Sequence, residues 1–524
     1  MPWRRRALLP LGISASLAAP WPASAQRSLA FDPGPHAVGF TLVEALDSTR
    51  AFRPLRDFRG RIAAETARPV QISVWYPAQP VAGARGTAAG EFRLLTHREL
   101  DFDIALTASD TARLRAEFVQ TAIAAGTDST AAARLWDEPT PAVRGATPLP
   151  GPHPTVLYFG ALGANDPLLP AYLASHGFVV AAFPSNGRMT DGALEYTPNA
   201  LTLETSLNDG GFVHAVLRRL PYADAGRAAV ASFSGSSLGA LLWVMRDMQA
   251  SAFVSIEGWE RYRRGADILA GSIHYEPHRV RIPMLLIERA PNEASPQFAK
   301  VPDVVDALNY AHITRVAFRD VSHGDFLSHA PFGQTSRQPD IYQTSARTVR
   351  TFLESALMND AGAARALARL VPPPSDSLFT VLRMPGIGPV PTEEELYHLA
   401  ETDPAEAASA YRDAIRTVRG SELFRESVLT RAAILAPTPT ARAAILEIVA
   451  DAYPASTAAR FRLGQALVEA GRATEAMAVL RRALEIVEDD PSLDDEARTE
   501  WRARIRAALE EHREPDASPS GAPR

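Results

Sequence analysis

Ser237, Glu257 and His323 stand in the chain order that a hydroxyl nucleophile, its orienting acid and its base take around a strand-to-helix elbow. Ser237 lies in Gly235-Ser236-Ser237-Leu238-Gly239, a G-x-S-x-G match. Before it, Ala229, Val230, Ala231 and Phe233 are small or apolar and read as a strand; after it, Leu238 to Met245 reads as a helix. That context gives the match its meaning, because a bare G-x-S-x-G arises by chance in a long chain rich in Gly and Ser. The expectation is a sharp turn with Ser237 at its apex and small residues two before and two after it. Such a turn lifts the hydroxyl above the sheet, at a helix N-terminus whose partial positive charge favours a developing oxyanion.

A serine hydroxyl becomes a nucleophile when a histidine takes its proton, and the histidine needs a carboxylate to fix its tautomer. Ile313 to Phe318 reads as the last sheet strand, and the loop after it carries His323, the expected base. His329, further along that loop, is the reserve; His274, His278 and His312 precede the strand and read as loop or surface residues. Glu257 ends the strand that follows the nucleophile helix, and its place beside the elbow makes it the preferred acid. Glu293, in the loop after the strand ending at Ile287, is the alternative acid, and Glu288 a weaker one. Either can instead form a surface ion pair of little consequence. One oxyanion donor is expected at Leu238 N–H, and a second from the loop after Thr155 to Phe159, Gly160-Ala161-Leu162-Gly163-Ala164, whose small residues allow close backbone approach.

The elements that must position these groups follow from periodicity. Val70, Ile72, Val74 and Tyr76 alternate, so Pro69 to Pro77 reads as a half-buried strand, and His36 to Asp47 as an earlier one. Two strands before any helix predict an antiparallel start. Residues 93–145 interrupt the pattern with helical spacing over Thr111 to Ala125 and Thr130 to Trp136, with Asp110 and Ser129 as N-caps. These helices either cover a pocket or decorate the surface. From Thr155 onward, continuous apolar strands alternate with helices, ending in a helix over Asp340 to Leu357. That pattern predicts a mostly parallel sheet covered on both faces, with ligands at the carboxyl ends of its strands.

Composition adds boundaries. The 524 residues are enough for two or three cores, and 46% hydrophobic with 22% charged residues is ordinary for a globular chain. A net charge of −6 gives no reason to expect nucleic acid as a partner, and Lys300 is the only lysine. Arg4, Arg5 and Arg6, a short apolar run from Ala7 to Ala19 and Ala23-Ser24-Ala25 predict a signal peptide over residues 1–25 and a periplasmic or secreted protein. No stretch reads as transmembrane. With no cysteine, neither a disulfide nor a thiolate-held metal is available. The hydrolytic domain is expected over 35–370, a proline- and glycine-rich linker over 371–392, and a helical domain over 393–512 before a disordered tail at 513–524. Leu463, Gly464, Leu467, Gly471, Ala476, Leu480 and Ala483 have the spacing of a tetratricopeptide helix pair. Ala407, Tyr411 and Ala414, and the segment 420–456, fit further repeats more loosely.

The stretches HAVGFTLVEALDSTR, PVQISVWYPA, PTVLYFGALG and LASHGFVVAAFPSNG, with the GSSLG elbow, the IEGW turn and the SHGDF loop, resemble platelet-activating-factor acetylhydrolase-like and dienelactone-hydrolase-like esterases over residues 35–358. The resemblance implies an α/β-hydrolase fold and hydrolysis of carboxylic esters, with a short acyl group, through a Ser-His-Glu triad without metal or cofactor. In the acetylhydrolase branch the acid follows the strand after the elbow helix, which supports Glu257. The family's H-G-L-G loop maps onto Gly160-Ala161-Leu162-Gly163 and implies Leu162 N–H as the second oxyanion donor. This chain departs from the pattern with Gly160 in place of the loop histidine, G-S-S-L-G-A in place of G-H-S-x-G-G, and Glu in place of the more frequent Asp. The expected partner is a small-molecule or lipid ester; the C-terminal repeats either dock a protein partner or pack against the hydrolytic domain. An amidase or peptidase on the same triad, and a non-catalytic binding protein, are the alternative readings.

Overall fold

The computed structural model describes residues 33–52, 65–160, 165–184, 200–247, 249–290, 304–330, 335, 337–371, 378–386, 393–403, 405–407, 409–411 and 426–512. The predicted signal peptide, Leu162, Glu293, most of the predicted linker and the tail lie outside these residues. The chain divides into two compact units, residues 1–386 and 387–524. No helix among the described residues is long and apolar enough to cross a membrane.

Among the described residues the first unit is built on a sheet of ten strands: β1 (Ala37–Phe52), β2 (Thr66–Ala78), β3 (Ala142–Arg144), β4 (His153–Phe159), β5 (Val179–Phe183), β6 (Ala223–Phe233), β7 (Ala250–Ile256), β8 (Met284–Arg289), β9 (Ile313–Phe318) and β10 (Phe379–Met384). Their order is β10-β9-β8-β7-β6-β4-β5-β2-β1-β3. The run from β5 through β9 is parallel, while β2 pairs antiparallel with both β1 and β5. This parallel centre with its reversed flank is the α/β-hydrolase fold. The reason is visible in the residues: β4 to β8 are apolar on both faces, so both must be covered. Helices α4 (Leu168–Ser175) and α8 (Gln338–Met358) bury one face, while α5 (Ala200–Leu217), α6 (Ser236–Asp247) and α7 (Arg263–Ala270) bury the other.

Before β4 comes an insertion of three helices, α1 (Ala89–Thr96), α2 (Ala108–Ala124) and α3 (Ser129–Asp137). Phe92 of α1 packs edge-on against Phe40 of β1 at 4.9 Å and stacks on Trp75 of β2 at 5.5 Å between ring centroids. Leu114, Phe118 and Trp136 form the insertion's own small core. The helix starts differ from the predicted ones. Thr107 and Asp128 are the N-caps; Asp110 sits three residues inside, where its carboxylate closes a capping box with Thr107, and Ser129 is already helical.

A second difference lies in the predicted linker. Its residues 379–384 form β10, paired antiparallel with β9 from Phe379↔Phe318 to Met384↔Ile313. A short helix, α9 (Ala361–Ala368), precedes it, and the only inward-facing apolar alternation in the strand, Phe379 and Val381, is too short to stand out between flanking prolines.

The second unit is all-helical: α10 (Glu393–Thr402), α11 (Glu426–Leu435), α12 (Pro439–Ala452), α13 (Thr457–Glu469), α14 (Ala473–Ile486) and α15 (Asp495–Glu511). From α11 on, each helix packs on the next. A Cβ on Gly464 of α13 would stand 2.6 Å from Leu480 Cδ2 of α14, so glycine is what lets this pair approach. Ala476 and Ala483 are fully buried on the facing side, and Phe461 meets Trp501 at 5.4 Å.

Candidate active site

The elbow lies at Ser234, three residues before the serine that the motif singled out. β6 ends at Phe233, and Ser234 takes a left-handed backbone with φ +57° while its N–H still donates to Ile256 O of β7 at 2.9 Å. For a residue with a Cβ that conformation costs about 1–2 kcal/mol, and it persists where packing on both sides imposes it. Ser232 and Ser236, two before and two after, are the small residues that so sharp a bend needs. A Cβ on Gly160, just past the end of β4, would lie 3.2 Å from Ser236 Oγ, so the chain at Gly160 passes close to this turn. The Ser234 hydroxyl has no hydrogen-bond partner among the described residues, and the residue keeps 6% of its surface exposed.

Ser237 is therefore not at the apex. It lies in the first turn of α6, is fully buried, and its Oγ accepts the N–H of Trp259 at 2.9 Å. Leu238 N–H, the expected oxyanion donor, bonds Gly235 O at 3.3 Å as the helix closes. The N–H that follows Ser234 is that of Gly235, which donates to nothing among the described residues. Gly239, the last glycine of the match, serves another purpose: a Cβ there would stand 2.7 Å from Ser206 Oγ, so it admits α5 against α6.

The structure brings Glu257 and His323 together. Nδ1 of His323 lies 3.1 Å from Oε2 of Glu257. Glu257 follows directly on β7, itself left-handed at φ +54°, and its N–H donates to Ile287 O of β8 at 2.7 Å. The strand end thus aims a fully buried carboxylate along the carboxyl edge of the sheet. Arg289 donates to it twice, from the main-chain N–H at 2.6 Å and from Nε at 2.5 Å, and Arg261 Nη2 donates at 2.9 Å. Burial by itself pushes the carboxyl up, but the His323 bond and the two guanidiniums more than offset it, holding Glu257 below the usual range.

His323 opens a short 3₁₀ turn, His323–Phe326, after β9. Asp325 holds that turn, accepting Ser322 N–H at 2.8 Å and Thr335 N–H at 2.6 Å. The imidazole leans on Phe233, the neighbour of Ser234, with ring centroids 4.7 Å apart. Its side chain is about one-third exposed (35%), and Nε2 has no hydrogen-bond partner among the described residues. With Nδ1 committed to the carboxylate, Nε2 is the nitrogen that can accept a proton.

The remaining candidates fall elsewhere. Glu288 pairs with Arg315 at 3.0 Å and faces Arg261 at 3.7 Å, so the weaker rival acid is occupied within the β8–β9 region. His312 Nδ1 accepts Gly386 N–H at 3.2 Å, away from the sheet's carboxyl edge. His329 is buried in a polar cluster of its own. The sequence carries a signal for Ser234: the apolar run stops at Phe233, and a tight elbow must follow within a residue or so, whereas Ser237 lies three residues further on, inside the helix.

Residues 441–495, from α12 through α14, match the family model described as tetratricopeptide repeat. No curated protein matches the chain. Among solved structures, a ferulic acid esterase from Streptomyces cinnamoneus is similar at 17% identity and a TM-score of 0.44, over 67% of this chain and 98% of that one.

Proposed function

We infer that this chain is a serine hydrolase of carboxylic esters in which Ser234 is the nucleophile, His323 the base and Glu257 the orienting acid. The observation that carries the reading is the Glu257–His323 pair, 3.1 Å apart, on the same sheet edge as a serine held at φ +57° whose hydroxyl has no hydrogen-bond partner among the described residues. In the proposed cycle Ser234 Oγ attacks the ester carbonyl while His323 Nε2 takes its proton. Gly235 N–H and a donor from the β4 loop stabilise the oxyanion, with Leu162 N–H as the sequence-based candidate for the latter. His323 then gives the proton to the leaving alcohol, and water, deprotonated by the same imidazole, releases the acid.

Glu257 acts by orientation. With Arg261 and Arg289 on the same carboxylate, it fixes the Nδ1–H tautomer and leaves Nε2 as the acceptor. The N-terminal basic and apolar pattern supports export, and the helical repeats support a protein partner; both belong to this proposal. A fluorophosphonate probe followed by peptide mapping tests it. Labelling at Ser234, lost in S234A, is the expected result; a folded protein that takes no label at that serine sinks the reading.

A further inference from the structure

A second polar cluster, outside the candidate triad, joins the helical insertion to the loop that carries His323. Ser328 Oγ lies 2.7 Å from Oδ1 of Asp166 and 2.9 Å from Nδ1 of His329. His329 Nε2 lies 3.1 Å from Oε2 of Glu138, the residue that ends α3. Tyr342 of α8 donates to Asp166 Oδ1 at 2.6 Å, and Leu169 N–H at 3.3 Å. Two main-chain contacts hold the same point: His329 N–H donates to Asn165 O at 2.9 Å, and Arg93 of α1 donates to His329 O at 2.5 Å. Arg93 also stacks on Phe118 of α2 at 4.1 Å. Asp166 and His329 are almost wholly buried, with 1% and 2% of their surfaces exposed, so this chain of groups is closed to water for most of its length.

Counting protons shows what the chain can do. The Ser328 hydroxyl has one hydrogen to share between Asp166 and His329 Nδ1, with the Tyr342 hydroxyl also within hydrogen-bonding reach. If it donates to the Asp166 carboxylate, His329 Nδ1 must be the donor to Ser328 and Nε2 the donor to Glu138, which makes the ring an imidazolium. If Asp166 carries the proton, it donates to Ser328, Ser328 donates to Nδ1, and a neutral ring still donates from Nε2 to Glu138. Both arrangements hold the same number of protons on the same heavy atoms. Remove one proton and the three bonds cannot all survive: either Nε2 turns a lone pair on the Glu138 carboxylate, or Ser328 abandons Asp166 or Nδ1. Burial pushes Asp166 up to about 6, which brings that proton within reach of ordinary pH.

We propose that Ser328 and His329 are positioning residues: with Asp166 and Glu138 they latch the loop bearing His323 to the helical insertion, and the latch holds while its shared proton is present. The charged and titratable groups facing it are Asp166, Tyr342 of α8 and Tyr158 of β4 from the core side, and Glu138 and Arg93 from the insertion. The proposal rests on the hydrolase reading only for its consequence, that a loosened loop misplaces the His323 imidazole and lowers kcat. Neither residue is offered as catalytic, since Ser328 and His329 are engaged with each other and with both carboxylates.

The test uses Glu138, whose side chain is partly exposed (30%), so that its replacement leaves the fold intact, with thermal melts as the control. Gln at this position can accept from an Nε2–H or donate to a bare Nε2, and so keeps the latch closed in either state; Ala cannot close it at all. For the full chain, kcat should fall as pH rises past about 6, where Asp166 releases the shared proton, and E138Q should match the native kcat below that pH while losing the fall. E138A should lower kcat at every pH by roughly tenfold, the size expected of a loop displaced by a fraction of an ångström, with KM unchanged. Hydrogen–deuterium exchange over residues 323–329, corrected for intrinsic pH dependence, should rise with pH in the native chain, stay low in E138Q and be high at every pH in E138A. Identical exchange and rate profiles in all three proteins overturn the proposal, as does a change confined to KM. Because exchange is read without substrate, the latch can succeed or fail independently of the esterase assignment, which stands or falls on labelling of Ser234.

Discussion

His323 takes its orientation from Glu257, 66 residues earlier in the chain, through a 3.1 Å contact between Nδ1 and Oε2. That carboxylate holds two arginines besides, and the imidazole it orients rests against Phe233, one residue from the bend at Ser234.

The two serines can be separated by mutation. S234A should abolish fluorophosphonate labelling and lower kcat by about 10⁴- to 10⁶-fold, the range for loss of a triad nucleophile. S237A should keep the label; leaving Trp259 N–H without its acceptor should cost about 1–3 kcal/mol in urea unfolding. The opposite pattern, label lost only in S237A, would return the nucleophile to the G-x-S-x-G serine.

Glu257 should make an acid-dependent contribution to stability. Its folded-state carboxyl is held below the ordinary value of 4.5, so the contribution is fully present above that value and disappears as pH falls through the lower folded-state value. Unfolding curves from pH 6 downward should show the native chain losing stability that E257Q never had. E257Q should also lower kcat by about 10³- to 10⁴-fold through the wrong imidazole tautomer. A kcat within a few fold of native would remove Glu257 from the triad.

Asp166 should act with the opposite sign. Its carboxyl is raised from 3.8 to about 6, so between those values the folded state keeps a proton that the unfolded chain has lost. Stability should therefore decline as pH rises across that window, by roughly 3 kcal/mol for a shift of this size. D166N, which cannot ionise, should show no such decline in denaturant melts at pH 4, 5 and 6.

Gly160 should resist substitution. It has φ +118°, and a Cβ would press on Ser236 Oγ at 3.2 Å. G160A should destabilise by at least about 1 kcal/mol through backbone strain and lower kcat, because the strain falls where the β4 loop meets the elbow. A variant with native melting and native kcat would show that the loop does not depend on that approach.

Much of this was legible before any coordinates. The apolar runs of β4 to β9 and the reversed pair β1–β2 determined the sheet, because burial on two faces demands continuous hydrocarbon. The chain order then led to Glu257 and His323, each placed just past a strand end. Gly464 and Leu480 likewise announced a close helix pair. What sequence alone left open was decided by contacts between distant segments. A motif of glycines and serines does not say which serine bends: tertiary packing placed Gly235 in the turn and Gly239 against Ser206, leaving Ser234 at the apex. The arginines on Glu257, the strand β10 beside β9, and the cluster around His329 also come from segments remote in the chain. Periodicity records which face of an element is buried; it carries no information about which other element supplies the partner.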